Sequence, residues 1–200
     1  MTSARVRNRA KASSAASANE PRALLWLLLL AGSCWQGAVA QPARQAQQAC
    51  SSGESSLPSA RFRDNGDGTV TDVESKLMWM RCSGGQQWLG KRCIGAASTY
   101  GWADAQQHAD KVNFDGAAFF DDWRVPGLRE LAMIADRGCK NPRTNLSVFP
   151  GTPAAPFWSS TARPGESAGE RVLALSFGAE GVMLAHKDER FHVRLVRTGP

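Results

Sequence analysis

The cysteines are the residues of this chain with the most distinctive chemistry: Cys34, Cys50, Cys82, Cys93 and Cys139. A thiol can bridge to another, bind metal or act as a nucleophile. Zinc calls for paired thiols or histidines at short spacing. No Cys-x-x-Cys occurs here, and His108, His186 and His192 stand at no ligand spacing from the cysteines. A catalytic thiol ranks last. Beyond residue 40 the cysteines number four, an even count that reads as disulfides and allows three pairings. Cys82 and Cys93 bracket the turn-prone Ser83-Gly84-Gly85, so a local bridge is the simplest pairing, and it leaves Cys50 to Cys139.

The other candidate chemistry is sparse. Ser159 and Ser160 follow Trp158 without a nucleophile elbow, and hydrogen bonding within a sheet accounts for them. Asp121 and Asp122 are adjacent, so on an extended chain they point to opposite faces and make a poor acid–base pair. Asp64, Asp67 and Asp72 could suggest a calcium loop, but the positions alternating from Asp64 hold Gly66 and Gly68, so a turn is expected. No glycine-rich phosphate loop opens a helix, and no cofactor is expected. Five of the seven tryptophans lie beyond residue 40. Trp79, Trp102 and Trp158 read as core. Trp88, inside the cysteine-closed excursion, is the candidate for an exposed ligand-stacking ring. Arg124, Arg143, Arg163 and Arg190 form an anion-binding face only if the fold brings them together. Arg194 and Arg197 read as salt-bridged or solvated.

The elements that must position these residues follow from local signals. Arg61-Phe62-Arg63, the Asn65-Gly66 and Asp67-Gly68 turn, Thr69 to Asp72, a turn over Val73 to Lys76, and Leu77 to Met80 predict a meander. Trp102, Ala105, Ala109 and Val112 recur at helical spacing, with Ser98 or Thr99 as a cap. Pro126 opens a second helix with Leu128, Leu131, Ile134 and Ala135 inward and Gly138 ending it. Residues 140–156 carry Pro142, Pro150, Pro153 and Pro156 and read as a long irregular loop. Strands are expected over 157–161, 172–177, 182–186 and 191–197. Helices grouped between antiparallel strands give an α+β domain: two helices on a mostly antiparallel sheet with long loops, stabilised by disulfides.

Charge says where the chain goes. The 200 residues carry 24 Lys and Arg against 18 Asp and Glu, a net +6, with 42% hydrophobic and 21% charged residues. That composition excludes collagen-like, fully disordered and multi-span membrane chains. Residues 1–40 hold five of the basic residues and one acid, a net +4, which leaves 41–200 at +2. The excess sits beside the apolar run Ala23 to Gly32, and Ala38-Val39-Ala40 follows. This pattern predicts a signal peptide over 1–40, cleaved after Ala40. An uncleaved anchor over 23–40 is the alternative, and the only membrane contact expected; lipidation at Cys34 ranks third. No nucleic-acid partner is expected. Residues 41–60 are a flexible lead-in, pinned only if Cys50 is bridged.

Read in order, Arg61-Phe62, Asp64-Asn65-Gly66-Asp67-Gly68-Thr69-Val70-Thr71-Asp72, Leu77-Met78-Trp79, Trp102 with Ala105, and Asp122-Trp123-Arg124-Val125-Pro126 form a pattern. Glu130-Leu131, Phe149-Pro150, Phe157-Trp158-Ser159-Ser160 and Val193-Arg194-Leu195-Val196-Arg197 continue it. The set resembles the Lcl C-terminal domain family, named after the Legionella collagen-like adhesin, over about residues 61–197. The spacing of Cys82, Cys93 and Cys139 resembles a common subgroup. The resemblance implies a C-type lectin-like fold and an exported or surface protein; the adhesin's own domain binds sulfated glycosaminoglycans as a trimer. This chain has no collagen-like repeat and none of the Glu-Pro-Asn, Gln-Pro-Asp or Trp-Asn-Asp triplets of calcium-dependent lectins. Nothing in it resembles the active-site cysteine pair of the formylglycine-generating enzymes, which share that fold.

The resulting expectation is a non-enzymatic exported binding module for acidic polysaccharide or a cell-surface partner. The alternative is an envelope assembly protein that binds another protein. An exported hydrolase is a distant third.

Overall fold

The computed structural model describes residues 48–51, 53–163 and 169–199. The expected signal peptide and the first part of the lead-in lie outside them. Asp-Gly and Asn-Gly chemistry builds the first sheet. Strands β2 (Phe62–Asp64), β3 (Thr69–Asp72) and β4 (Leu77–Met80) form the expected antiparallel meander, which follows a short strand β1 (Ala49–Cys50). Gly66 and Gly68 adopt positive φ in its first turn. The Asp64 carboxylate accepts the Gly66 N–H at 2.9 Å, and that of Asp67 accepts the Thr69 N–H at 2.9 Å. These acids therefore wind a turn. Among the described residues no cluster of His, Cys, Asp or Glu could hold a metal ion.

A hairpin of β5 (Gln87–Leu89) and β6 (Arg92–Ile94) follows, closed by the Cys82–Cys93 disulfide. Helix α1 (Trp102–Phe114) buries Ala105 and Ala109, with Trp102 and Val112 packed at the edge of that stripe. Neither Ser98 nor Thr99 caps it. The helix begins at Gly101, and its first N–H, that of Trp102, donates to the Lys187 carbonyl at 2.9 Å. A tertiary partner thus replaces the local cap. Helix α2 (Leu128–Met133) starts after Pro126 as expected, with the Leu128 N–H donating to the Thr161 hydroxyl at 2.9 Å. It stops well before Gly138, because the chain at Asp136 turns to pair with Arg143.

Strand β7 (Cys139–Lys140) pairs with β1, and the Cys50–Cys139 disulfide joins that pair. With Cys50 bridged, residues 48–51 and 53–60 are tied down: Leu57 is buried, and the Gln48 amide donates to the carbonyls of Pro142 and Thr144. Strands β8 (Pro156–Ala162), β9 (Arg171–Ser176) and β10 (Val182–His186) form a second antiparallel sheet in the order β10-β9-β8. The expected strand 191–197 does not run as one strand. Phe191 bridges Tyr100, His192 bridges Phe157, and only β11 (Val196–Thr198) joins a sheet, beside β4. The segment crosses from one sheet to the other, which no alternation pattern encodes.

Two buried clusters result. Trp79, Leu131, Ile134, Phe149, Phe157 and Phe177 fill one, and Ala105, Ala109, Trp123, Trp158, Val193 and Leu195 the other. The described residues are α+β, two α-helices with antiparallel sheets and two disulfides, paired as the simplest reading of the spacing expected. No helix among the described residues is long and apolar enough to cross a membrane.

Candidate functional site

The segment after α2 is wound around a single carboxylate. Asp136 is buried and accepts hydrogen bonds from the Ser55 hydroxyl, from the Ser56 hydroxyl at 2.5 Å, and from the N–H groups of Gly138 at 2.7 Å, Cys139 at 3.2 Å and Leu57 at 3.3 Å. Burial opposes its ionisation, but the bonds from Ser55, Ser56, Gly138 and Leu57 outweigh it and lower the carboxyl to about 2. Arg143 is fixed by its backbone: its carbonyl accepts the Asp136 N–H at 2.8 Å, and its own N–H donates to the Phe177 carbonyl at 2.7 Å. Lys140 is set by its pairing with Ala49.

Arg137, Lys140 and Arg143 line a cavity of about 260 Å³, with Asn141, Gly178 and Ala179 completing the wall. No described carboxylate lies within ion-pair distance of these three cations. Arg137 and Lys140 are exposed, and Arg143 is half-buried. Three cations around one concavity focus a positive potential into it and suit an anionic group.

The other predicted residues are engaged elsewhere. Arg124 grips Glu130 with two bonds of 2.7 and 2.6 Å, which raises the guanidinium's pKa and lowers the carboxyl's. Arg190 donates to the Thr99 carbonyl at 2.5 Å and lies 3.9 Å from Asp104. Arg163 is exposed just beyond β8. Trp88 is half-buried, with the Arg81 guanidinium 4.4 Å from its ring centroid. Arg81 is itself paired to Asp64 at 2.7 Å. Of the four arginines, only Arg143 lines the basic cavity. Arg137 and Lys140 were missed, although a basic residue at every third position from 137 to 143 was a legible signal.

Arg194 departs from its expected role. It is fully buried, without a carboxylate partner. Its guanidinium donates to the carbonyls of Met80, at 2.9 Å, and Arg81, and to the hydroxyls of Ser83 at 3.2 Å and Thr152 at 2.7 Å. The Phe149 ring centroid is 4.8 Å away. Burial pushes its pKa down to about 9, which leaves it charged at neutral pH. Arg197 does pair as expected, with Asp122 at 2.5 Å.

Two further features stand out. A cleft of about 320 Å³ that also has Asn141 in its wall lies between the β5–β6 excursion and the 141–154 loop, lined by Ala96, Ala97, Pro142, Leu146, Thr152 and Pro153 among others. Elsewhere, Phe114 and Phe119 are 91% and 95% exposed. Phe114 ends α1 and Phe119 lies in the connection that follows, which is closed by two bonds between the Asn113 amide and the Trp123 backbone, of 2.9 and 2.7 Å. Phe119 holds a φ of 63°, an uncommon conformation for a bulky residue. The Ser159 hydroxyl donates to the Leu173 carbonyl within the sheet.

No curated protein matches the chain. The family described as the Lcl C-terminal domain matches residues 68–197, well over half of the sequence and every element from β3 to the start of β11. With the meander, the two helices and both disulfides in place within or beside that span, the chain belongs to the Lcl C-terminal domain family.

Proposed function

We propose that this chain is an exported, adhesin-like binding module without enzymatic activity, and that it takes the anionic groups of an acidic polysaccharide. The observation that carries the reading is the cavity of Arg137, Lys140 and Arg143, where three cations converge without a described counter-charge. Two disulfides support export, since such bonds persist in oxidising compartments. Two helices on antiparallel sheets with long bridged loops support a C-type lectin-like fold. Membership of the family supports the surface role. The test is a glycan array at low salt with the exported protein and a Lys140→Ala/Arg143→Ala variant. Retention of sulfated or uronic glycans by the wild type alone is expected. No retained ligand, or equal retention by the variant, refutes the reading.

A second reading, an envelope assembly protein, is favoured by Phe114 and Phe119, because large apolar side chains so exposed mark contact surfaces. Light scattering and crosslinking in envelope extract, with Phe114→Ser/Phe119→Ser as control, test it. A monomer without a crosslinked partner refutes it.

A further inference from the structure

We propose that the basic cavity and the cleft that shares Asn141 with it form one elongated groove that holds an acidic oligosaccharide in two parts. The charged group sits among Arg137, Lys140 and Arg143, and the adjoining sugar ring lies against Ala96, Ala97, Pro142 and Pro153. This rests on the anion-binding reading above and adds the length and polarity of the ligand.

Asn141 lines both concavities. Their volumes are about 260 and 320 Å³. Ligand pockets span roughly 300–1,000 Å³, so each alone is near the floor of that range and the two joined lie well within it. The Asn141 side chain is exposed at the junction and has no hydrogen-bond partner among the described residues. Its amide offers two donors and an acceptor where a sugar hydroxyl or ring oxygen would pass.

Apolar side chains such as Ala96, Pro142, Leu146 and Pro153 line the cleft, and Gln86, Asn141 and Thr152 add polar groups to it. That mixture suits the C–H face of a sugar ring with hydroxyls at its rim. An acidic peptide would need cations along its whole length, and here they occupy one end. No carboxylate lines either concavity. Behind the cleft, the Thr152 hydroxyl is bonded to the buried Arg194, whose charge has no carboxylate partner.

The groove is also held in shape before any ligand arrives. The Cys82–Cys93 bridge closes one wall, and the Cys50–Cys139 bridge and Asp136 fix the other. The Gln86 amide ties the walls together by donating to the Gly151 carbonyl at 3.2 Å. Such preorganisation lowers the ordering cost of binding.

The experiment is calorimetric titration of the exported protein, disulfides intact, with glucose 6-sulfate, a glucose hexasaccharide carrying a single terminal 6-sulfate, and hexaglutamate. Ala96 is exposed on the cleft wall, so Ala96→Trp fills the cleft and Ala96→Glu places a repelling charge there, both away from the core. The wild type is expected to bind the hexasaccharide at least about tenfold more tightly than the monosaccharide, a difference of about 1.4 kcal/mol. Both Ala96 variants should lose most of that advantage and keep the monosaccharide affinity. Lys140→Ala/Arg143→Ala should weaken both sugars. Equal wild-type affinity for the two sugars overturns the groove, as does a hexasaccharide preference that survives both Ala96 variants. Tighter binding of hexaglutamate than of the hexasaccharide also overturns it. Unchanged affinities in Lys140→Ala/Arg143→Ala overturn the underlying anion-binding reading instead.

Discussion

Replacing Asp136 by Asn should destabilise the protein at neutral pH and leave it nearly unaffected in acid. The carboxylate is buried and accepts bonds from two hydroxyls and three N–H groups. Those bonds favour the ionised form, so its carboxyl falls from 3.8 in the unfolded chain to about 2 in the folded one. That difference converts to about 2 kcal/mol of stability, present in full above pH 4 and lost as pH falls through the folded value. Asn resembles the protonated acid: it keeps one acceptor and turns an N–H₂ toward groups that themselves donate. At pH 7 the variant should therefore be at least about 2 kcal/mol less stable, or about 4–8 °C lower in Tm for a chain of this size. Near pH 2 the gap should shrink to under about 1 kcal/mol, because the wild type has then lost the same charge. Urea denaturation of both proteins without reductant, at pH 7, 4 and 2.5, measures this. A gap that is the same at pH 2.5 as at pH 7, or one below about 0.5 kcal/mol at pH 7, would refute the reasoning.

Other substitutions test other parts of the structure. Removing the Cys50–Cys139 bridge, which spans 89 residues, should cost about 4–5 kcal/mol in the chain-entropy model, against about 3 for Cys82–Cys93, which spans 11. Denaturant midpoints of the two Cys→Ser pairs read the order. Arg194→Met should cost about 1–3 kcal/mol, because the Met80 and Arg81 carbonyls lose buried donors; a Tm equal to wild type would contradict this. Gly68→Ala places a Cβ 2.7 Å from Trp88 Cγ at a φ of +91°. It should therefore destabilise by about 1–3 kcal/mol and alter the near-ultraviolet circular dichroism of the tryptophans. Phe114→Ser should leave the urea midpoint of the monomer within about 0.5 kcal/mol of wild type, since an exposed ring supports no core.

What could be read from the linear chain was local. Asn65-Gly66 and Asp67-Gly68 specify a turn through their own φ preferences, so the meander was legible. The recurrence of Trp102, Ala105, Ala109 and Val112 specifies a helical face by its period alone. The pairing of the cysteines followed from a turn between Cys82 and Cys93 and from parity. Family membership was readable because its motifs are short and ordered along the chain. What depended on distant partners was not legible. Helix α1 takes its first hydrogen-bond acceptor from Lys187, so no cap residue marks its start. The segment 191–198 serves two sheets in succession, and only the placement of Tyr100, Phe157 and β4 decides where it divides. Arg194 has the sequence context of a surface arginine, yet the carbonyls of Met80 and Arg81 and the Thr152 hydroxyl make a buried site for it.

The candidate site shows the same division. Sequence alone supplied the cations at 137, 140 and 143 and the cysteine at 139, but not their direction, because a loop has no periodicity from which to infer a face. Direction came from the Asp136 carboxylate, from the Cys50 bridge and from the bond between Arg143 and the Phe177 carbonyl, each a contact between residues far apart in the chain. Residue types and turn chemistry determined which elements form. The tertiary contacts decided which charges share a cavity, since a cluster of like charges persists only where the rest of the fold holds it in place.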